Sequence, residues 1–340
     1  MRKAGFIILG TLFILMALFH QEALSAKVTV GTVRLISDAG IFIALEKGYF
    51  KEEGIEVELP KFRTAGDMMA PLGTGELNIA TGGISAGLFN AIARGIPIVV
   101  VADKGSTPPG RGFLSLMVRK DLVDTGQVKS VKDLKGRVVA TNAPANVTVY
   151  MWAKALEKEG LKLADVDMKA IPFPLMVKAL EGKSIDAAIA GEPHATLAEE
   201  TGVAVRLMTI DKATPNAQIA VIFYSKDFVA KNPELANRWM IAYIKGLRFY
   251  NDALRERGSK LEELIDILTK YTGVKERKVY YKMIWTGLNP DGHVNKANLA
   301  EQQELYAAIG VVPKTVPIDQ VVDTSFAENA LKVLGRYEAK

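Results

Sequence analysis

Residues 28–54 read VTVGTVRLISDAGIFIALEKGYFKEEG, and this stretch decides the fold. Its first eight residues are rich in β-branched side chains and predict a strand, and apolar side chains then recur at helical spacing over residues 41–49. Ser37 or Asp38 can cap this helix, and residues 55–62 predict a second strand. The stretch is therefore a β-α-β unit. Its first turn presents free helix N–H groups beyond the end of a strand, where open α/β sheets bind ligands.

The first 26 residues predict a secretory signal peptide. Arg2 and Lys3 form a positive start, residues 5–19 are an almost unbroken apolar run, and small residues follow at Ser25 and Ala26. The run is short for a membrane span, and an uncleaved N-terminal anchor is the alternative. We expect cleavage near Ser25 or Ala26 and export of the mature chain.

Composition and charge restrict the class of protein. The chain has 340 residues, of which 49% are hydrophobic and 24% are charged, as in soluble globular proteins with room for two lobes. Without residues 1–26 the net charge is about +4, and the basic residues are scattered, so nucleic acid is not an expected partner. The chain has no cysteine, which excludes disulfides, cysteine-bound metals and a lipidated N-terminal cysteine. We expect no metal and no cofactor, and we expect the bacterial periplasm as the location.

The rest of the chain predicts two lobes. Residues 96–102 (IPIVVVA) are continuously apolar and predict a central parallel strand. The turn-rich segment 104–112 marks a boundary, after which a strand over 113–118 leads into a second lobe and a strand over 219–224 returns. The expected divisions are 1–26 signal peptide, 27–115 lobe one (first part), 116–220 lobe two, and 221–340 lobe one (return) with C-terminal helices.

A weak internal repeat supports two lobes of one plan. At an offset of roughly 110 residues, VGT at 30–32 aligns with VAT at 139–141, and the turn 82–85 falls opposite 191–194. The matches occur in one order along the chain. They favour two lobes built from the same sequence of strands and helices.

Five segments carry a resemblance to a known family. They are ALEKGYFKEEGIEVEL (44–59), DLKGRVVA (133–140), ALEGKSIDAAIAGEP (179–193), NPDGHVN (289–295) and VVDTSF (321–326). The chain resembles the periplasmic ABC-transporter solute-binding proteins of the nitrate/sulfonate/taurine and thiamine-precursor (pyrimidine) binding family. The resemblance implies a periplasmic binding protein-like α/β fold, with two β-α-β lobes joined by two hinge crossings and a helical C-terminal block on lobe one. It also implies a monomer that closes on a small-molecule solute and docks on an ABC permease at the inner membrane.

By the family plan, turns at the carboxyl ends of strands line the ligand cleft. The predicted ligand-binding residues are Ser37, Asp38, Gly83, Ser85, Asn142, Asn146, Thr148, Glu192 and His194. Helix capping alone would explain the first two, tight-turn sterics would explain the glycine, and a lone histidine is as often a surface residue. A fifth turn, at the first crossing, offers Arg111, for which a solvated loop residue is the commoner interpretation.

The charge of the solute depends on two opposing effects. Helix N-termini that point into the cleft favour an anion, each by about 0.3–1 kcal/mol. An unpaired carboxylate at Asp38 or Glu192 would cost more than that. Either these carboxylates cap their own helices, or the solute also carries a donor or positive group, as an amino-sulfonate, an aminopyrimidine or a polar aromatic acid does. Phe42, Phe89 and Phe173 could stack on a planar solute, although most such aromatics are core residues.

Two other functions remain as alternatives. A periplasmic sensor subunit would bind the same kind of solute and present it to a membrane receptor. A thiamine-pyrimidine synthase-like enzyme would need histidine, iron and a cysteine-rich segment, whereas this chain has no cysteine and keeps only His194 and His293 after residue 26. The sequence therefore predicts no enzyme, and an extracytoplasmic solute-binding component of an ABC importer for a small polar or anionic organic solute.

Overall fold

A computed structural model of the chain describes residues 25–339. The predicted signal peptide, residues 1–26, lies almost wholly outside this described part. None of the helices within residues 25–339 combines the length and the apolar character needed to span a bilayer.

Strands and helices alternate over most of the described chain. The strands are β1 (Ala26–Gly31), β2 (Ile55–Glu58), β3 (Ile79–Gly83), β4 (Ile98–Ser106), β5 (Leu114–Arg119), β6 (Val138–Thr141), β7 (Asp167–Ala170), β8 (Ala187–Gly191), β9 (Ala204–Thr209) and β10 (Gln218–Ser225). The helices are α1 (Ala39–Glu46), α2 (Tyr49–Glu52), α3 (Met69–Gly73), α4 (Ala86–Ala93), α5 (Lys120–Asp124), α6 (Val147–Glu157), α7 (Phe173–Glu181), α8 (His194–Glu200), α9 (Lys226–Lys231), α10 (Pro233–Glu256), α11 (Gly258–Tyr271), α12 (Arg277–Lys282), α13 (Lys296–Ala308), α14 (Ile318–Val321) and α15 (Ser325–Leu334).

The strands form two five-stranded mixed sheets with the same internal order. The first sheet runs β2-β1-β3-β10-β4 and the second runs β7-β6-β8-β5-β9. The fourth strand of each sheet, β10 in the first and β5 in the second, is the one that follows a connection from the other sheet. It is antiparallel to both of its neighbours. The repeat therefore corresponds to a shared topology, in which β1 matches β6 and β3 matches β8. The predicted fold class is confirmed, while the expected limits of the lobes at residues 115 and 220 stay predictions.

The opening unit forms as expected, with a shorter first strand. β1 ends at Gly31, and residues 36–38 form a 3-10 turn before α1. The hydroxyl of Thr32 donates to the carboxylate of Asp38 (2.8 Å) and accepts from the N–H of Arg34 (2.9 Å). These local side-chain bonds compete with strand pairing, so after Gly31 the β-branched run adds only one isolated bridge, from Thr32 to Lys61.

The prediction of a central parallel strand over residues 96–102 is wrong. β4 is an edge strand of the first sheet, and its neighbour β10 runs antiparallel to it. Its apolar run is explained by the C-terminal block, which covers the outer edge of the strand. Val100 forms a bridge to Val322, and Ser106 forms a bridge to Gly287.

The C-terminal helices pack on the first sheet's side of the molecule. α10 lies against α1, and α15 lies against both α10 and β4. The contact between α10 and α1 is a close backbone approach at Gly246 and Gly40. A Cβ at position 246 would overlap the carbonyl oxygen of Gly40 and lie 3.0 Å from its carbonyl carbon.

We expect Gly246→Ala to lower the free energy of unfolding by about 1–3 kcal/mol, because the added methyl group would force two packed helices apart. Urea denaturation measures the change. Gly87→Ala in α4 is the matched control, because this exposed position meets nothing closer than the Ser85 hydroxyl at 3.5 Å. Helix propensity then predicts no loss, or a gain of about 0.5–1 kcal/mol. A Gly246→Ala variant as stable as the wild type would contradict the close packing of α10 on α1.

Candidate functional site

The β1–α1 turn is held by a buried ion pair. Ser37 and Asp38 are almost fully buried, and Lys104 of β4 lies beneath them with 1% of its side chain exposed. The Lys104 ammonium is 3.0 Å from Asp38 Oδ1 and donates to Ser37 Oγ at 3.0 Å. Asp38 Oδ2 accepts from Thr32 Oγ1 and from the N–H of Leu35, both at 2.8 Å. The carboxylate thus fixes the turn before α1 and already has its own cation.

The β3–α4 turn and the β6–α6 turn meet directly. The N–H of Ala86 donates to the carbonyl of Ala145 (2.8 Å), and the N–H of Val147 donates to the carbonyl of Ile84 (2.9 Å). Ser85 and Asn146 form the bridge between these two bonds. Each is the N-cap of its helix, and each accepts a main-chain N–H of the first turn, Leu88 N at 3.4 Å and Thr148 N at 3.2 Å. Two helix N-termini from different sheets are therefore brought face to face.

The predicted residues of the β6–α6 turn form one hydrogen-bonded cluster. Asn146 Nδ2 donates to the Asn142 side-chain oxygen, and the Thr148 hydroxyl lies within hydrogen-bonding distance of two acceptors, Asn142 Oδ1 (3.0 Å) and Asn146 Oδ1 (2.8 Å). Thr141, beside Thr148, completes the group. Asn142 is half-buried, while Asn146 and Thr148 are buried. The cluster carries no formal charge, and its amides and hydroxyls suit a carboxylate or sulfonate.

The β8–α8 turn holds a second buried carboxylate, which shares the cation of Arg206 with Glu199. Glu192 Oε1 accepts from Arg206 Nη1 at 2.9 Å, and Oε2 accepts from the N–H of Thr196 at 3.0 Å. Glu192 therefore caps α8 and is paired with an arginine of β9. Burial lowers the pKa of the half-buried His194 imidazole, so this residue is neutral at pH 7 and offers a hydrogen bond without a charge.

Segment 284–286 lies next to both the β1–α1 turn and the β8–α8 turn. The N–H of Ile284 donates to Glu192 Oε1 at 3.3 Å. At Gly105, a Cβ would lie 3.7 Å from both the Ser37 side chain and the Thr286 hydroxyl. β1 and β3 are parallel neighbours in the first sheet, and β6 and β8 are parallel neighbours in the second. The four turns that follow these strands therefore lie at the carboxyl ends of the strands, two in each sheet. The structure thus places the predicted residues at one end of each sheet.

A further polar cluster, which the sequence analysis missed, joins the second sheet to the C-terminal block. Tyr150 of α6 donates to Glu301 Oε2 (2.8 Å) and accepts from the amide of Asn298 (2.8 Å), and Lys154 lies 2.7 Å from Glu301 Oε1. Burial and the bond to Glu301 raise the pKa of the Tyr150 hydroxyl. The helical spacing of Tyr150 and Lys154 places them on one face of α6. No local pattern indicates their partner, Glu301, which lies 151 positions after Tyr150.

A cavity of about 330 Å³ opens beside the β3–α4 turn, and Gly83 and Ser85 are among its lining residues. The two glycines of this turn differ. A Cβ at Gly82 would lie 2.6 Å from the Ala65 Cβ, so packing alone accounts for glycine there. At Gly83 a Cβ would meet the Ile219 carbonyl oxygen at an ordinary 3.6 Å, so packing does not require a glycine at this position.

Of the three candidate aromatic residues, one remains accessible. Phe42 is buried and stacks on Tyr271 with ring centroids 4.8 Å apart, and Phe89 is buried against Tyr306. Phe173 is half-buried at the start of α7, with its ring against Gly191 at the end of β8. The first two are core residues, whereas part of the Phe173 side chain stays accessible to solvent at the end of β8.

Asp103 is a buried carboxyl next to Lys104. Its Oδ2 accepts from the N–H of Asn289 (2.7 Å), and its Oδ1 accepts from the N–H of Gly105 (3.0 Å) and from the Gln218 amide. Burial raises the pKa of the Asp103 carboxyl to about 6, although these hydrogen bonds and the charge of Lys104 oppose the rise. In the unfolded chain an aspartate has a pKa of about 3.9.

We expect Asp103 to make the stability of the protein fall as the pH rises from about 4 to about 6. The folded state holds this proton more tightly than the unfolded state, so the contribution is present below the unfolded pKa and lost through the folded pKa. The free energy of unfolding of the wild type, relative to Asp103→Asn, should fall by up to about 3 kcal/mol between pH 4 and pH 7. Urea denaturation across this range measures it, with the exposed Asp227→Asn variant as a control that should parallel the wild type. A pH-independent difference between wild type and Asp103→Asn would contradict the raised pKa.

Two sheets of identical order, joined by two crossings and with candidate ligand turns at their ends, define the fold of the periplasmic binding proteins. The crystal structure of the periplasmic aliphatic sulphonate binding protein SsuA from Escherichia coli is similar, with a TM-score of 0.70 and 21% identity, covering 88% of this chain and 92% of that one. The crystal structure of the periplasmic nitrate-binding protein NrtA from Synechocystis PCC 6803 gives a TM-score of 0.71 at 18% identity, covering 91% and 89%.

The chain belongs to the NMT1/THI5 like family, whose model matches residues 36–253. The taurine-binding periplasmic protein of Escherichia coli (strain K12) is 25% identical over 277 residues, which cover 79% of this chain and 80% of that relative. The family resemblance that the sequence indicates is confirmed.

The fold is shared by an enzyme as well. The crystal structure of the desulfurization enzyme DSZB gives a TM-score of 0.61 at 17% identity, covering 91% of this chain and 99% of that one. Fold alone does not separate binding from catalysis. Within residues 25–339, no three histidine, aspartate or glutamate side chains form a group that could hold a metal ion.

Proposed function

We propose that the chain is the extracytoplasmic solute-binding component of an ABC importer and captures a small anionic or polar organic solute between its two sheets. The observation that carries this proposal is the meeting of the β3–α4 and β6–α6 turns. It brings Ser85 and Asn146, which are 61 positions apart in the sequence, into direct contact at two helix N-termini. Helix N-termini with neutral amide and hydroxyl side chains favour an oxyanion.

The two buried carboxylates do not oppose an anionic solute. Asp38 is paired with Lys104 at 3.0 Å, and Glu192 is paired with Arg206 at 2.9 Å, an arginine that it shares with Glu199, so neither carboxylate is unpaired. The cost of an unpaired carboxylate near a bound anion is thereby removed. This supports a sulfonate, nitrate or aromatic acid over an aminopyrimidine. The names of the taurine-, sulphonate- and nitrate-binding relatives agree with that preference.

Capture proceeds by hinge closure about the two crossings. The sequence predicts them near residues 113–118 and 219–224, which form β5 and β10, and the connections that lead into these strands are residues 107–113 and 210–217. The crossings are bonded to each other through Thr107, whose N–H donates to the Ala217 carbonyl (3.0 Å) and whose carbonyl accepts from the Asn216 N–H (2.8 Å). A paired two-segment connection can bend as one unit while each sheet stays rigid. Small-angle scattering with and without solute tests closure, and no compaction at saturation would contradict it.

The remaining parts of the proposal follow from this role. The protein acts in the periplasm as a monomer, carries out no catalysis, and delivers its solute to an ABC permease at the inner membrane. A sensor subunit would share the binding site and differ in its membrane partner. Genes for a permease and an ATPase next to this one would support transport, and a receptor gene would support sensing.

A thermal-shift screen of the chain from Lys27 onward tests the binding function. The panel contains taurine, alkanesulfonates, nitrate, aromatic carboxylates, aminopyrimidines and riboflavin. A solute present at a hundred times its dissociation constant stabilises the folded state by about 2.7 kcal/mol, which raises the melting temperature by several degrees. A response to the anions supports the proposal. A response to aminopyrimidines alone would contradict its anionic part, and no response to any member would contradict it for these solutes.

A further inference from the structure

A second cavity, of about 450 Å³, lies beside the crossings, and Thr286, from the segment next to the β1–α1 turn, is part of its lining. Its walls come from the first crossing with the end of β4, from the second crossing with the start of β10, from segment 286–295, and from α10. Segment 286–295 enters on the outer edge of β4, where Gly287 bridges Ser106. None of the nine predicted ligand-binding residues lines this cavity, which is large enough for a small organic molecule.

The walls of this crossing cavity are polar and contain no acidic side chain. They include Arg111, His293 and five carboxamide residues, namely Asn216, Gln218, Asn251, Asn289 and Asn295. Proline at 108, 109 and 290 makes parts of the wall rigid. A cavity with one guanidinium and no carboxylate in its lining favours a negatively charged occupant.

Several donors of the cavity have no acceptor within residues 25–339, among them the Arg111 guanidinium and the Asn289 amide. The Arg111 side chain is half-buried and has neither a carboxylate within 4 Å nor a hydrogen bond in the described chain. Asn289 is oriented by its Oδ1, which accepts from the N–H groups of Asp291 (3.0 Å) and His293 (3.2 Å), and its Nδ2 is left without an acceptor in the same residues. By contrast, the side-chain amide of Gln218 already has partners within the protein. Its Nε2 donates to the Gly105 and Ala220 carbonyls, and its Oε1 accepts from the N–H of Asn295.

The neighbourhood of Arg111 supports an inward position for its charge. Burial raises the pKa of the Tyr250 hydroxyl, and the positive charge of Arg111 partly opposes that rise. Tyr250 is fully buried in α10 and donates to the Thr286 carbonyl at 2.8 Å. The half-buried guanidinium therefore lies near enough to the buried Tyr250 hydroxyl for its charge to act on it.

We propose that the crossing cavity is a second binding site, distinct from the solute site, which takes a small oxyanion through the Arg111 guanidinium and the Asn289 amide. A guanidinium presents a planar pair of donors that matches a carboxylate, sulfate or phosphate edge. The oxyanion can belong to a small carboxylic acid or to an inorganic tetrahedral ion, and both offer the same edge to the arginine.

An occupant of this cavity contacts both crossings at once. Arg111 belongs to the first crossing and Asn216 to the second, and Thr107 already links the two. An oxyanion held there resists any change in their relative position. If closure changes the shape of the cavity, the oxyanion and the transported solute alter each other's affinity by the same factor. This coupling rests on the proposed hinge function, whereas oxyanion binding at Arg111 does not.

The test is a titration of the chain from Lys27 onward with sodium lactate and, separately, with sodium sulfate, while sodium chloride keeps the ionic strength constant. The melting temperature reports binding. We expect a saturable rise for at least one of the two anions, at a concentration about tenfold or more higher in Arg111→Gln. Arg63→Gln, at an arginine whose side chain is 87% exposed, is the matched control and should respond like the wild type. Arg111→Lys keeps the charge and should retain part of the response.

The outcomes separate this inference from the proposed function. A response to lactate assigns a carboxylate, and a response to sulfate assigns a tetrahedral ion, provided that it depends on Arg111. Equal responses in wild type and Arg111→Gln, or no saturable response to either anion, would overturn the second site. No response in the solute screen together with an Arg111-dependent response would contradict the proposed function for the solutes of that panel and leave the crossing cavity as a binding site. Because Arg111 has no side-chain bond within the described residues, Arg111→Gln should unfold like the wild type without anion.

Discussion

Replacing Lys104 with methionine is expected to lower the free energy of unfolding by about 3–5 kcal/mol at neutral pH. The Lys104 ammonium is the cation of Asp38 and also donates to Ser37, and all three side chains are buried. Without the ammonium, the Asp38 carboxylate stays in the interior with only the Thr32 hydroxyl and one main-chain N–H. Removing one partner of a buried pair leaves an uncompensated charge, which costs far more than the pair contributes. Chemical denaturation at pH 7 measures the loss.

Two further variants test the cause of this loss. Lys278→Met removes an exposed cation, whose side chain is 70% accessible, and should change stability by no more than about 0.5 kcal/mol. Asp38→Asn combined with Lys104→Met removes both charges and should be less destabilised than Lys104→Met alone. A loss below about 1 kcal/mol in Lys104→Met, or a double variant no better than the single one, would show that the buried charge does not set the stability of this turn.

Lys104 also shows why local sequence patterns do not predict every residue of the candidate site. The segment 104–112 is rich in turn-forming residues, so its local composition predicts a boundary loop. In the structure β4 continues to Ser106, because β10, more than a hundred residues later, supplies its hydrogen-bonding partner. Pairing between distant segments overrides local propensity here. The sequence contains the signal for the Ser37 turn and none for the lysine beneath it.

The same distinction explains the success and the error in the fold. The β-α-β unit of residues 28–54 is local, because helix caps and hydrophobic spacing mark each element where it stands. The order of strands in the first sheet is not local. β10 lies between β3 and β4 after the chain has passed through the whole second sheet. A continuous apolar run at β4 shows burial but does not show which element covers it.

The candidate site divides in the same way. Ser85 and Asn146 have sequence signals, because N-cap residues stand at recognisable helix starts. Their contact with each other, and the pairing of Glu192 with Arg206, depend on the packing of separate elements. The sequence therefore predicts which turns carry polar side chains and leaves their charge state open. The structure pairs each carboxylate with a basic side chain, and the proposal of an anionic solute is argued from this pairing.

Exchanging Asn146 for aspartate is expected to weaken the binding of an anionic solute by a hundredfold or more, if the solute binds as proposed. Aspartate is as good an N-cap as asparagine, so α6 should keep its start and the fold should persist. The new carboxylate would stand where the α4 and α6 N-termini meet. Two like charges about 4 Å apart repel by about 4 kcal/mol at an effective dielectric constant of 20, which exceeds the 2.7 kcal/mol of a hundredfold change in affinity. Isothermal titration calorimetry with the best anion of the solute panel measures the effect.

Asn329→Asp provides the matched control, since it adds the same charge on α15, where Asn329 Nδ2 donates to Asn237 at 3.2 Å. Its dissociation constant for the solute should stay within about twofold of the wild type, because a charge far from the solute is screened. Unchanged affinity in Asn146→Asp would move the solute away from the α6 turn. Tighter binding would show that the solute presents a cation or an N–H group at this point. In that case the compensated carboxylates, Asp38 and Glu192, would no longer be an argument for an anion, because Asn146 itself would face the donor end of the solute.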